Sequence, residues 1–250
     1  MSACKVVLCT VIYLLVGQLV ELPVSAAEIS SPFTVEPEMV RWARDAAGRE
    51  EAPERILLRL AAAVGHRRGL GVRETELETG TAREVFESRR ANCAGFAFLV
   101  SGLARSLGVE AVVVDVSDVV KSERRGGFAI THRHLAVGVE EGGRLRVVDR
   151  AGVLSPARHR FQVLEDRTAL AIYHSNRGAE LLLAGRLDEA LAYLQQAVEV
   201  DSRFEPAQRN LRIAWQRAGA GRPGSSGTLH ALCESWSLWA GTPFCAAARR

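Results

Sequence analysis

Apolar residues in this chain first recur every three or four positions, then run nearly unbroken or alternate, and then return to the wider spacing. The first regime predicts helices over residues 37–47 and 53–64, each with a proline near its start, where the missing N–H would be unpaired anyway. Gly69 and Gly71 interrupt the pattern. Gly80 precedes a short helix over 81–88, in which Thr81 and Glu84 are spaced as a capping box. The best helix of the first half is 93–107. Phe96, Ala97, Val100, Leu103, Ala104 and Leu107 form one stripe, with Asn92 suited to cap it and Gly108 to end it. Cys93 begins that stripe and is expected on the core side. The β-branched run 109–116 reads as a buried strand and Gly126-Gly127 as a loop. Residues 135–139 and 145–148 read as an antiparallel pair around Glu141-Gly142-Gly143. Helices followed by a helix packed on an antiparallel sheet make the fold class α+β.

The character changes after Pro156. Residues 171–201 carry two helical patterns separated by Ala184-Gly185-Arg186. Gly178, Gly185, Ala190, Leu194 and Ala197 resemble the small and apolar positions of a tetratricopeptide repeat, although Arg177 and Ser202 depart from its usual Leu and Pro. Residues 204–218, with Leu211 and Trp215, would start a second repeat that is not completed. The segment 168–219 is therefore expected to be one helical hairpin plus a capping helix. One repeat cannot bury its own face, so it should pack on the preceding domain or on a partner. From 220 to 250 the chain turns glycine- and serine-rich, ending in an isolated apolar stretch around Trp236, Trp239 and Phe244, and reads as a flexible tail.

The N-terminus reads as a signal peptide over 1–27. Lys5 supplies a basic start, residues 6–20 are almost all apolar, and Ser25-Ala26-Ala27 supplies small residues for cleavage. The apolar run falls short of the roughly 20 residues a spanning helix needs. An uncleaved N-terminal anchor is the alternative, and the only route to membrane association. Export follows from cleavage. A hydrophobic content of 48% and a charged content of 24% are ordinary for a globular protein. The net charge of +3 is mild and scattered, which gives no case for nucleic-acid binding. Of five cysteines, Cys4 and Cys9 leave with the leader, Cys233 and Cys245 could pair, and Cys93 is left as a free thiol. His132 and His134 are too few for a zinc site, so no metal or cofactor is expected.

The candidate chemistry lies in three separated segments. Cys93 opens a helix, where unpaired backbone N–H groups favour negative charge on sulfur or on an attacked carbonyl oxygen. His134 begins a strand, and Asp149 ends its hairpin partner. A thiol nucleophile needs an imidazole to take its proton and a group to orient that imidazole. His132, two residues away on the same strand face, is the rival base. A buried structural cysteine and a hairpin-end aspartate are the plainer readings of the same residues.

Residues 81–86, the Asn92-Cys93 helix start, 103–109, the strand from His134 and Val147-Val148-Asp149 together resemble the transglutaminase-like superfamily of papain-fold enzymes. The resemblance covers roughly 56–149. It implies a papain-like core over 37–155 followed by the tetratricopeptide-like hairpin, with Cys93 as nucleophile, His134 as general base and acid, and Asp149 as its orienting partner. It also implies acyl transfer on a protein or peptide carboxamide, resolved by water or by an amine. Leu135-Ala136 stands where many members carry an aromatic residue after the histidine. No calcium-ligand loop is apparent. The alternative is an inactive relative that binds an envelope protein or peptide, with the repeat-like segment as a partner surface.

Overall fold

A computed structural model describes residues 31–220. Its first two helices, α1 (Pro37–Ala47) and α2 (Pro53–Gly65), begin at their prolines and bury the faces their spacing predicts. These faces carry Met39, Ala43 and Ala47 on α1, and Ile56, Leu57, Leu60, Ala61 and Val64 on α2. A two-residue parallel bridge joins β1 (Arg73–Glu74) to β2 (Arg90–Ala91), on either side of α3 (Ala82–Ser88). The capping box on α3 forms as its spacing predicts. Thr81 Oγ1 accepts the Glu84 N–H at 3.2 Å, and Glu84 Oε2 accepts the Thr81 N–H at 2.7 Å.

Helix α4 (Cys93–Ser106) is buried more completely than its apolar stripe suggests. Every residue from Ala94 to Ala104 is buried, Ser101 and Gly102 included. The face opposite the large side chains consists of small residues, and neighbours close on it. A Cβ added to Gly102 would lie 2.4 Å from the Phe33 carbonyl oxygen. Two earlier expectations need correction here. Leu107 is only half-buried, and Cys93 is half-exposed at the mouth of a cleft rather than in the core.

The sheet has five antiparallel strands in the order β6-β5-β4-β3-β7. These are β3 (Val112–Arg125), β4 (Phe128–Glu141), β5 (Arg144–Asp149), β6 (Gly152–Leu154) and β7 (Phe161–Leu164). Both glycine pairs form two-residue hairpin turns. Gly126-Gly127 joins Arg125 to Phe128 and Gly142-Gly143 joins Glu141 to Arg144, all four glycines with positive φ. Strand β3 starts at Val112, later than the expected 109, and β3 and β4 run well past 116 and well before 135 as a long hairpin arm. Only its base carries buried residues (Val113 to Val116, Asp115 included, and Leu135 to Val139), so hydrophobic pattern marks the base alone. Between the pairs Val116↔His134 and Val120↔Arg133, residues 117–119 bulge from β3. There the Ser117 N–H bonds to the Arg160 carbonyl, and Asp118 Oδ1 accepts the Arg160 N–H. The short strands β6 and β7 were not foreseen, because each is half-exposed and shows no periodic signal.

The C-terminal helices are α5 (Asp166–Leu183), α6 (Leu187–Val200) and α7 (Glu205–Ala220). Helix α5 starts at Asp166, ahead of the apolar pattern, because its first turn is polar. Gly178 serves close packing, since a Cβ there would meet Leu194 Cγ at 2.5 Å. Leu194, Ala197, Val198, Ala207, Leu211 and Ala214 share one core, so α7 covers the hairpin face that a lone repeat leaves open. Helix α5 also packs back on α4, with the Tyr173 and Phe98 rings edge to face at 6.5 Å. Among the described residues, no helix is long and apolar enough to cross a membrane. The expected leader over 1–27 and the tail beyond Ala220, with Cys233 and Cys245, lie outside the described residues.

Candidate active site

Cys93 is the first residue of α4, and the chain before it is held on several sides. Asn92 is extended (φ −81°, ψ −176°), and its Oδ1 accepts the Gly95 N–H at 3.0 Å. Its own N–H bonds to the Glu78 carbonyl at 3.0 Å, and its Nδ2 donates to Thr79 Oγ1 at 2.6 Å. The Phe96 N–H is taken by the Asn92 carbonyl. The first-turn N–H groups of Cys93 and Ala94 have no hydrogen-bond partner among the described residues. These two donors flank the thiol.

Sheet register brings the other two side chains together. Val137 pairs with Val148, so Asp149 falls opposite Ala136. Side chains alternate along a strand, which puts His134 on the same face as Ala136 and makes His134 and Asp149 diagonal neighbours. His134 Nε2 lies 2.9 Å from Asp149 Oδ2. Asp149 Oδ1 accepts the N–H groups of Ala151 (2.7 Å) and Gly152 (3.1 Å), so both carboxylate oxygens are engaged. Helix α4 crosses this face of the sheet. The Cys93 sulfur comes within 3.5 Å of the Arg133 carbonyl oxygen, and Cys93 and His134 line the same cleft. With Nε2 held by Asp149, Nδ1 is the nitrogen left for the thiol.

The electrostatics follow this geometry. Hydrogen bonding to Asp149, then to Cys93, holds the His134 imidazole protonated, with its pKa raised from 6.5 to about 10 against the opposing effect of burial. Burial pushes the Asp149 carboxyl up, but His134 and the Ala151 and Gly152 N–H groups outweigh it and leave the carboxyl below its ordinary range. The side chains remain partly wet, 29% exposed for His134 and 12% for Asp149. Glu74, Ala91, Asn92, Phe96, Leu135 and Arg150 complete the lining of the cleft, whose volume of about 20 Å³ has room for about one water.

Thus the structure brings Cys93, His134 and Asp149 into one cleft. His132 points elsewhere, toward Glu123 Oε1 at 3.4 Å on the hairpin arm, and does not line the cleft. Thr79 and the Arg133 carbonyl were not anticipated, nor was Glu180, whose Oε1 accepts the Thr79 N–H at 2.8 Å. A backbone carbonyl carries no residue-type signal. Glu180 lies far from Cys93 in sequence, and neither Thr79 nor Glu180 belongs to a spacing motif. Among the described residues, no three His, Cys, Asp or Glu side chains are grouped to hold a metal ion. An acid–base imidazole fixed by a carboxylate beside a thiol can ionise that thiol, deliver a proton to a leaving group and activate a second nucleophile. No protein-family model, no curated protein and no solved structure matches the chain.

Proposed function

We propose that this chain is an exported thiol acyl-transfer enzyme with a transglutaminase-like, papain-type core, acting on a carboxamide or peptide bond of a protein. The observation that carries the proposal is the convergence of three groups from separate segments: the Cys93 thiol, the His134 ring beside it and the Asp149 carboxylate 2.9 Å from His134 Nε2. A simple structural cysteine does not require an imidazole held by a doubly anchored carboxylate.

The roles follow from the geometry. The proton given up by the thiol is held on His134 as the imidazolium, and the sulfur attacks the carbonyl carbon. The first-turn N–H groups of Cys93 and Ala94 would be the donors to the resulting oxyanion. The imidazolium then gives its proton to the departing amine or ammonia as the C–N bond breaks, leaving a thioester on Cys93. His134 next deprotonates water or an amine, which attacks the thioester and frees the thiol. Water yields hydrolysis or deamidation, and an amine yields a cross-link. Asp149 fixes the tautomer and stabilises the imidazolium without taking the proton itself. The helices α5–α7, with their tetratricopeptide-like packing, supply a surface for a protein partner.

The test is the rate at which iodoacetamide alkylates Cys93 in the folded protein near pH 7, compared with a free cysteine. The proposal expects a rate at least about tenfold higher, abolished by His134→Ala. Ammonia release from glutamine-containing peptides then separates deamidation from peptide cleavage. A Cys93 no more reactive than an ordinary thiol would overturn the enzyme reading and leave the binding-protein alternative.

A further inference from the structure

Helix α5 runs antiparallel to α4 and is joined to it at three levels. At its start, Asp166 receives two 2.8 Å hydrogen bonds from Nη1 and Nη2 of Arg105, in the last turn of α4. Midway, Tyr173 meets Phe98. Near its end, Glu180 Oε1 accepts the Thr79 N–H at 2.8 Å. Thr79 Oγ1 in turn accepts from Asn92 Nδ2, and Asn92 Oδ1 caps α4 through Gly95. The spans match: at 1.5 Å per residue, 166 to 180 rises about 21 Å and 92 to 105 about 20 Å. One helix therefore reaches both ends of the other.

The upper connection lies in the interior. Thr79 is 2% exposed and the Glu180 side chain 12%. The second Glu180 oxygen is taken by Arg177 Nη1 at 2.8 Å. A buried N–H must find an acceptor, and Glu180 supplies it to Thr79. The Gly95 N–H, a donor only, requires the Asn92 oxygen at the start of α4, and the Thr79 hydroxyl anchors the other end of that amide by accepting from Nδ2. Cys93 is the next residue.

We propose that α5 is a splint for the helix that carries the thiol. Glu180 and Thr79 are positioning residues, which orient Asn92 and so set Cys93 against His134. The helical segment is then part of the site and not an appendage to it, an inference that rests on the acyl-transfer reading for its chemical consequence. A helix start that wanders by about 1 Å can lose one to two orders of magnitude in reactivity.

The deciding variant is Thr79→Val. It keeps the shape and the N–H that docks on Glu180, but removes the hydroxyl that orients Asn92. Alkylation of Cys93 at pH 7 is expected to slow about tenfold relative to wild type. The rates should converge near pH 10, where any thiol is ionised, and thermal unfolding should stay close to wild type. Glu180→Ala should slow alkylation similarly, whereas Glu180→Gln, which keeps the acceptor oxygen, should restore most of the rate. Should Glu180→Ala fail to fold, Thr79→Val decides alone. Wild-type alkylation rates in folded Thr79→Val overturn the proposal. If wild-type Cys93 proves no faster than a free cysteine, the acyl-transfer reading fails, and the splint is read instead from amide exchange at Gly95. Faster exchange in Thr79→Val supports the splint, and unchanged exchange overturns it.

Discussion

Asp149→Asn isolates the electrostatic core of the site. The amide oxygen can still accept the Ala151 and Gly152 N–H groups, so the turn after β5 keeps its hydrogen bonds. The amide nitrogen can instead face His134 Nε2, and a donor there forces Nε2 to act as acceptor. The ring proton then sits on Nδ1, where it can no longer take the thiol proton. Moving the imidazole pKa from 6.5 to about 10 corresponds to about 5 kcal/mol at most, at 1.36 kcal/mol per pKa unit. Cys93 shares that effect and water still reaches 29% of the ring, so about 2 kcal/mol falls to Asp149. Because the folded-state pKa is raised, this stabilisation is complete below pH 6.5 and vanishes as pH rises through about 10. Wild type should therefore lose about 2 kcal/mol more than Asp149→Asn between pH 6.5 and pH 10. Urea unfolding of both proteins at the two pH values measures the difference, since other groups titrating in that range are common to both. An NMR titration of His134 reads the cause directly. Superimposable pH dependences, or a wild-type His134 midpoint near 6.5, would refute the reasoning.

His132→Ala should leave the Cys93 alkylation rate within about twofold of wild type, because its ring faces Glu123 on the arm; a loss comparable to that of His134→Ala would reassign the base. Gly178→Ala should destabilise the protein by about 1–3 kcal/mol in thermal or urea unfolding, since the new methyl would lie 2.5 Å from Leu194 Cγ. A neutral effect would show that α5 and α6 can separate freely. His174 is 2% exposed, and burial pushes its pKa down from 6.5 to about 4. The unfolded chain takes up a proton that the folded one refuses, so stability should fall by about 3 kcal/mol as pH drops from 6.5 to 4. His174→Phe should flatten that slope in urea unfolding, and a slope unchanged by the substitution would remove His174 as its source.

Local chemistry already determines much of this protein. Prolines start α1 and α2, Thr81 and Glu84 cap α3, Asn92 starts α4, and the Gly126-Gly127 and Gly142-Gly143 pairs make the hairpin turns. Each of these signals acts within a few residues, so each survives without knowledge of the fold. Cys93 and Asp149 were legible as candidates for the same reason, from a helix start and a hairpin end, whereas His134, expected to begin a strand, lies in the middle of β4. The company of the three was not legible. Strand register places His134 diagonal to Asp149, the crossing of α4 over that face brings in the thiol, and the bulge after Val116 lets the exposed arm continue past the site. The arm beyond its base was invisible because backbone pairing, not hydrophobic burial, holds it. Thr79 and Glu180 were invisible because a hydrogen bond across 101 residues has no periodicity to betray it. Sequence by itself determines the helix starts and turns that carry a local signal, such as the caps of α3 and α4 and the two glycine-pair hairpins. Which polar groups meet is decided only when those elements pack, because buried donors and acceptors must then find their partners among the groups that packing brings near.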